Sequence, residues 1–306
     1  MCSYITEQAA IVGSAKGPTG WMHVDTATVY FDHPYHSPLP DLDDIRARED
    51  KLFVFPGEVT GVELEVRSQL ELVDELSRFY DESAFVPHPT AGFRYYYEND
   101  WFNLGDAVML HTILRAYRPA RVVEIGSGYS SAVMLDTNER YMDRSIEFTF
   151  VDPEPSRLLD LLTEEDHKSV RLLSRRLQDV DVELFSEIAP GDVLFIDSSH
   201  VSKIGSDVNL ILFEIVPRLA PGVLVHFHDV FYPFQYPREW IYEGRAWNET
   251  YLVRAFLAFN SDFRVRLFNS YLERFHADRV RSAMPLWARQ QGSCSLWLER
   301  RKGSIA

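Results

Sequence analysis

Residues 121–131 read RVVEIGSGYSS, a short apolar run that ends in two closely spaced glycines. An apolar run of this length is typical of a buried strand, and glycines directly after it let the backbone turn sharply and approach a ligand. In an open α/β sheet, ligands bind at the carboxyl ends of the strands. The stretch therefore predicts a strand, a ligand-binding turn and a helix at the centre of an α/β domain.

Further apolar runs follow at intervals, and helical stretches separate them. They are EFTFVD (147–152), VRLLS (170–174), DVLFID (192–197), GVLVHFH (222–228), FRVRLFN (263–269) and SCSLWLE (293–299). Near-continuous apolar strands that alternate with helices indicate a mainly parallel sheet with both faces covered. We expect an α/β fold built on one doubly wound, Rossmann-like sheet of seven strands.

The chain before residue 119 differs in character from this pattern. Residues 1–45 are expected to form a small β-rich N-terminal extension and a linker, because GWMHVDTATVYFDHP nearly alternates and a Pro- and Asp-rich stretch follows it. Residues 46–118 are expected to form a helical cap, with helices near 64–83 and 104–117. Residues 119–306 are assigned to the sheet domain.

Composition narrows the class of protein and its surroundings. The net charge of −15 works against binding to nucleic acid or to anionic membranes. The two cysteines, Cys2 and Cys294, form no CxxC pair, which favours a reducing compartment. No run of 18 apolar residues and no signal-peptide pattern is present, so we expect a soluble, cytoplasmic protein.

The glycine turn distinguishes between two cofactor classes. A dinucleotide fingerprint would have glycine or alanine where Ser131 stands, and Glu124 comes two residues before the first glycine. This ExGxG arrangement resembles the first motif of the class I S-adenosylmethionine (SAM)-dependent methyltransferases. The resemblance implies that Glu124, Gly126 and Gly128 hold the methionine part of SAM. It also implies that the last of the seven strands is antiparallel.

Three further residues are assigned to the cofactor. By the same resemblance, Asp152 at the end of the second strand holds the ribose hydroxyls, and Asp179 after the third strand meets the adenine amine. Tyr96 lies in the aromatic run RYYYENDWF, which could cover the cofactor, since aromatic faces attract a sulfonium cation. The alternative that this run only seals a cap stays open.

The ends of the fourth and fifth strands carry the candidate reactive groups. LFIDSSHV and HFHDVF are similar to segments of small-molecule methyltransferases related to catechol O-methyltransferase. That resemblance implies a metal bound by Asp197, His228 and Asp229, with His200 beside it either as a fourth ligand or as the base, where the family has its catalytic lysine. We therefore take His200 and His228 as catalytic candidates. A mixed nitrogen and oxygen set makes manganese, iron or zinc as suitable as magnesium, and whether a metal is used stays open.

The long insertion after the fifth strand is rich in aromatic residues. Within it, Arg245, Asn248 and Glu249 are predicted to line a substrate pocket. The same insertion could instead pack a homodimer interface.

The leading interpretation is methyl transfer from SAM to a small, natural-product-like acceptor, with or without help from a divalent metal. Two alternatives remain at this point. The chain could bind SAM without turning it over, or, less in keeping with Ser131, it could be a nicotinamide oxidoreductase.

Overall fold

The computed structural model describes residues 37–301, so the predicted β-rich segment in residues 1–36 lies outside the described part. The chain divides after Asp41, and residues 42–301 belong to one compact unit. The residues assigned to a helical cap therefore share a unit with the sheet. Part of the expected linker is helical, since a helix begins at Leu42.

Seven strands form one sheet in the order β3-β2-β1-β4-β5-β7-β6. Their bounds are β1 Arg121–Ile125, β2 Glu147–Val151, β3 Arg171–Leu173, β4 Val193–Ile196, β5 Leu224–Phe227, β6 Phe263–Phe268 and β7 Leu296–Arg300. Strands β1 to β5 pair in parallel, and β7 runs antiparallel to both β5 and β6. The predicted α/β, doubly wound, seven-stranded sheet with an antiparallel last strand is confirmed.

Helices precede the sheet and connect its strands. They are α1 Leu42–Ala47, α2 Glu49–Leu52, α3 Val66–Leu76, α4 Leu104–Tyr117, α5 Tyr129–Tyr141, α6 Ser156–Leu159, α7 Asp166–Ser169, α8 Glu183–Ser186, α9 Asp207–Leu210, α10 Arg238–Tyr242, α11 Glu249–Leu257, α12 Asn269–Phe275 and α13 Ala277–Ala283. A π-helical stretch spans Ile211–Ile215, and 3-10 turns span Ser77–Phe79, Glu82–Ala84, Leu177–Asp179, Val216–Arg218 and Trp287–Arg289. Within residues 37–301, no helix is both long and apolar enough to cross a membrane.

Two helices were predicted from spacing, and burial explains how each forms. α4 spans 104–117 as expected, and it is buried from Leu104 to Leu114 because it is apolar on nearly every side. The helix expected over 64–83 is shorter. α3 ends at Leu76 and continues as 3-10 turns.

The sheet register brings the candidate residues to one edge. Ile125 of β1 pairs with Val151 of β2 and Ile196 of β4, and Ile196 pairs with Phe227 of β5. Because these strands are parallel, the residues after them emerge side by side at the carboxyl edge, where open α/β sheets bind ligands. Those residues are Gly126, Asp152, Asp197 and His228.

Candidate active site

The turn after β1 packs directly against the end of β4. Gly126 has φ +81°, and a Cβ built on it would lie 2.1 Å from the carbonyl oxygen of Asp197. The amide of Asp197 also donates to the carbonyl of Ile125 at 2.8 Å. The left-handed conformation and the close approach both require glycine at this position.

Glu124 holds this turn to the start of α5. Its side chain is fully buried, and its two carboxylate oxygens accept hydrogen bonds from Ser130 Oγ and Ser131 Oγ, each at 2.5 Å. Ser131 Oγ in turn accepts from the amide of Gly128 at 3.0 Å. The serine that breaks the dinucleotide fingerprint is therefore part of the loop's hydrogen-bond network. Burial, opposed by the serine hydrogen bonds, raises the pKa of Glu124 to about 8.

This raised pKa gives the unliganded protein a testable pH dependence. The pKa of this carboxyl is 4.5 in the unfolded chain and about 8 in the folded protein, so its contribution to stability is complete only below pH 4.5. As the pH rises from there toward 8, the free energy of unfolding falls by ~1.4 kcal/mol per pH unit. Glu124→Gln removes the ionisation. We expect its melting temperature to exceed that of the parent at pH 8.5 and to match it near pH 4.5, by calorimetry without cofactor. A difference independent of pH would contradict this account.

The two predicted acids of the nucleoside site lie in different surroundings. Asp152 Oδ2 accepts from Ser127 Oγ at 2.7 Å, and Oδ1 accepts from the amide of Glu154 at 2.8 Å, which fixes its half-buried carboxylate beside the glycine turn. Asp179 is exposed in the 3-10 turn after β3, and its ion pair with Arg176 at 3.0 Å lowers its pKa. The adenine role of Asp179 stays a prediction.

The aromatic run of residues 94–102 lies beside the glycine turn. The hydroxyls of Tyr96 and Tyr129 are 2.5 Å apart, and their rings meet edge to face. Arg157 lies over the ring of Trp101, 3.6 Å from its centroid, and its side chain also covers Gly128. The sequence analysis selected Tyr96, whose cofactor role stays a prediction, and did not select its neighbours Tyr129 and Arg157. Tyr129 directly follows the second glycine, which was the available signal.

A buried arginine fixes this run to α5 and α7. The guanidinium of Arg94 forms ion pairs with Asp136 at 2.8 Å, Asp166 at 2.7 Å and Glu139 at 2.7 Å. Asp136 also accepts from the backbone amides of Arg94 and Tyr95. Because a buried charge needs such partners, this cluster holds the aromatic run in place.

His200 is surrounded by carboxylates at the ends of β4 and β5. Its Nε2 lies 3.3 Å from Asp197 Oδ1 and 3.4 Å from Asp229 Oδ2, and its Nδ1 lies 2.8 Å from Glu249 Oε2. His200 and Asp229 both have left-handed backbones, with φ +59° and +55°. Non-glycine residues rarely adopt this conformation, and it concentrates at functional sites.

The carboxylates determine the charge state of this cluster. Burial opposes protonation of His200, but hydrogen bonds to Asp197 and Glu249 and the charges of Glu249 and Asp229 raise its pKa well above 6.5. Burial would raise the pKa of Asp197, yet its hydrogen bond with His200 and the nearby histidines lower it. The cluster therefore favours a bound positive charge between its carboxylates.

Two of the three predicted substrate residues, Asn248 and Glu249, contact the His200 loop. Glu249 is only 1% exposed, and its oxygens are held by Ser198 Oγ at 2.9 Å and His200, so it stands behind His200 and not along a pocket. Asn248 pairs through its side-chain amide with the backbone of Ser202. Arg245 lies on the faces of Trp240 and Trp247. The carboxylate of Glu249 orients His200, and a substrate role for the three residues stays a prediction.

The predicted metal set is also arranged differently. His228 is buried, and its nearest polar contact is the Cys294 thiol, whose sulfur lies 3.6 Å from Nε2. Asp106 contacts that sulfur at 3.5 Å. His228 Nε2 is 3.8 Å from Asp229 Oδ1, whereas His200 lies close to both aspartates. The structure therefore groups His200, not His228, with Asp197 and Asp229.

Two groups of side chains in residues 37–301 have the composition and spacing of a metal site. One is Asp197, His200 and Asp229, and the other is Asp106, His228 and Cys294, each with ligand atoms within 4.8 Å of one another. Sequence reasoning missed Asp106 and Cys294, because only the pairing of β5 with β7 brings residue 294 next to the end of β5. His226, by contrast, is a core residue bonded to Ser295 Oγ at 2.8 Å.

Comparison with known proteins identifies the sheet domain. Residues 123–230 match the family described as "Methyltransferase domain". Residues 1–88 match one described as "Family of unknown function (DUF6295)". An uncharacterised protein of Archaeoglobus fulgidus is 31% identical over 160 residues, which cover 50% of this chain and 71% of that protein.

Solved structures are similar at a much lower level. The S-adenosylhomocysteine-bound Podospora anserina methyltransferase PaMTH1 is 15% identical, covers 87% of this chain and 99% of its own, and has a TM-score of 0.42. The O-methyltransferase TomG of Streptomyces achromogenes is 15% identical, with coverage of 86% and 97% and a TM-score of 0.38. The family assignment rests on the match of residues 123–230 and on the sheet. With the strand order 3-2-1-4-5-7-6 and the glycine turn after β1, they identify a class I SAM-dependent methyltransferase domain in this chain.

Proposed function

We propose that this methyltransferase transfers the methyl group of SAM to a hydroxyl oxygen of a small-molecule acceptor at the Asp197–His200–Asp229 cluster, which holds a divalent metal. The observation that carries the proposal is the position of His200. One of its nitrogens is directed between two carboxylates at the cofactor edge of the sheet, and the other is held by Glu249.

The donor set fits a metal ion. Glu249 accepts from Nδ1 of His200 and leaves Nε2 toward Asp197 and Asp229, which is how metal-binding histidines are usually oriented. With Glu249, three carboxylates surround one imidazole, and a divalent cation would balance their charge better than one proton. The mixed set suits manganese, iron or zinc. When bound, such an ion lowers the pKa of the acceptor hydroxyl and orients it.

The residues of the chain have separate tasks in this reaction. The glycine turn and Asp152 fix the cofactor over the ends of β1 and β2. Glu249 and Ser198 hold the His200 loop, and the backbone amides of Asn248 and Glu249 donate to the carbonyl of His200 at 3.0 and 3.1 Å. Methyl transfer needs the acceptor oxygen in line with the methyl–sulfur bond, so the stiffness of both loops supports the rate.

Metal content and methyl transfer test this proposal together. Protein purified without chelator should contain close to one manganese, iron or zinc per chain, and His200→Ala should lose most of it because a ligand is removed. His88→Ala replaces an exposed histidine and is the matched control. Labelled SAM with a panel of hydroxylated aromatic acceptors should yield O-methyl ethers. Undiminished transfer after exhaustive chelation would contradict the metal, and transfer to nitrogen or carbon alone would contradict the acceptor class.

A further inference from the structure

A large cavity lies next to the proposed reaction site. Its volume is about 1120 Å³, and its walls come from α1 and α2, residues 53–55, the segment 231–239 and α12. This volume is slightly above the range of about 300–1,000 Å³ that is usual for small-molecule sites. The cavity therefore has room for an acceptor much larger than a single ring.

Two wall residues connect the cavity to the reactive cluster. Phe231 follows Asp229 by two positions in the chain. Tyr236 packs edge to face on Trp247 at 5.9 Å between ring centroids, and Trp247 lies 4.4 Å from the ring of His200. The rings of Tyr236 and Trp247 thus stand in series between this wall of the cavity and His200, so an acceptor held here must extend beyond the cavity to bring its hydroxyl to the cluster.

The rim of the cavity is apolar and exposed. Val54 is 51% exposed, Phe55 44% and Phe275 40%. Exposed apolar side chains gathered around a cavity are typical of a binding surface. They favour an occupant with a broad aromatic or aliphatic body.

Most charged side chains of the cavity wall have an ion-pair partner within residues 37–301, and Arg274 does not. Arg238 pairs with Glu49 at 3.0 Å, and Arg46 pairs with Asp43 at 2.7 Å. Arg274 has no ion pair and no hydrogen bond to any residue in the part of the chain that the structure describes. Asp50 is its acidic counterpart on the wall, likewise without a described partner.

Arg274 is held in an orientation that suits anion binding, whereas nothing comparable orients Asp50 for a cation. The guanidinium carbon lies 3.5 Å from the centroid of the Phe55 ring, so the group is stacked on an aromatic face. Stacking uses the face of the guanidinium and leaves its in-plane donors free for a bidentate contact with a carboxylate or sulfonate. Asp50 is an exposed side chain with no such support.

The wall acid nearest to Arg274 in the chain adds little opposing charge. Glu273 accepts hydrogen bonds from Trp287 Nε1 at 2.9 Å and from the amides of Gly292 and Ser293 at 3.2 Å each. Burial, opposed by these hydrogen bonds, raises the pKa of Glu273 to about 7. Near neutral pH it is therefore only partly ionised.

We propose that this cavity binds the methyl acceptor, and that the acceptor is a large aromatic molecule with an acidic group that Arg274 recognises. The inference rests on the proposed function for the acceptor role, whereas its ligand class rests on the cavity alone.

A matched pair of fluorescent probes tests the ligand class without any turnover. 8-Anilinonaphthalene-1-sulfonate carries an anionic group, and N-phenyl-1-naphthylamine has the same rings without it. Arg274→Gln should weaken sulfonate binding about tenfold, as expected for loss of a charge-assisted contact, and leave the neutral probe within about twofold. Asp50→Asn, the matched control, should leave both unchanged. Val54→Trp, which fills the rim, should weaken both.

Each other result would overturn part of the inference. Equal effects of Arg274→Gln on both probes, or an effect of Asp50→Asn in its place, would overturn the anionic class. Unchanged binding in Val54→Trp would show that the probes bind elsewhere. In labelled methyl-transfer assays the sulfonate should compete with acceptor and not with SAM, and failure to compete would overturn the acceptor role. Absence of methyl transfer to every acceptor would refute the proposed function and leave the probe result standing.

Discussion

Gly126→Ala is expected to abolish detectable SAM binding and to lower the free energy of unfolding by about 2–5 kcal/mol. Two causes act together. The residue has φ +81°, which strains any side chain, and its new Cβ would lie 2.1 Å from the carbonyl oxygen of Asp197. That oxygen belongs to the backbone and cannot move without displacing the end of β4. The turn must therefore shift, and the surface that binds the cofactor is lost. Chemical denaturation and calorimetry with S-adenosylhomocysteine measure the two effects.

Gly191→Ala separates the clash from the backbone strain. Gly191 has φ +91°, a conformation as unfavourable for alanine, but a Cβ there meets nothing within 4 Å. It also precedes β4 and so lies at the opposite edge of the sheet from the cofactor. We expect a loss of only ~1–2 kcal/mol in this variant, with cofactor affinity unchanged. Equal destabilisation by both substitutions would show that the contact with Asp197 does not matter.

Asp197→Asn should reduce the rate of methyl transfer at saturating substrates by at least about 100-fold while SAM affinity stays within about threefold. The amide keeps the size and the backbone of Asp197, so the glycine turn is preserved. It removes the charge that faces His200 Nε2 at 3.3 Å, and with it the balance that favours a bound cation. Single-turnover rates with acceptor and labelled SAM provide the measurement.

Asp152→Asn is the complementary control because its carboxylate lies at the end of the neighbouring strand β2. Loss of a charged hydrogen bond to the ribose should cost ~1.5–3 kcal/mol in cofactor affinity. The rate at saturating SAM should stay near that of the parent. If Asp197→Asn lowered cofactor affinity and Asp152→Asn lowered only the rate, the division of tasks proposed for these strands would be refuted.

The seven strands and the ligand-binding edge of the sheet could be predicted from the residues alone. All seven apolar runs became strands, because a buried strand must be apolar along its length whatever surrounds it. Gly126 could be singled out because a close backbone approach tolerates no other residue. Glu124 and Ser131 distinguished the SAM motif from the dinucleotide motif. Both residues belong to the same local turn, so their spacing in the sequence was enough to identify it.

Which histidine lies between Asp197 and Asp229 depends on the packed fold and could not be read from local spacing. Sequence adjacency favoured His228 beside Asp229, yet His200 occupies the place between the aspartates because its loop folds back with a left-handed backbone. Glu249 orients it from the start of α11, 49 residues further along the chain.

Side-chain direction at a strand end depends on how the following loop turns and on what packs against it. The thiol of Cys294 contacts His228 only because β7 pairs with β5. Such contacts join residues far apart in the chain, so they cannot be predicted from local spacing. Strand identity is a property of short segments, whereas the direction of a catalytic side chain is a property of the packed fold.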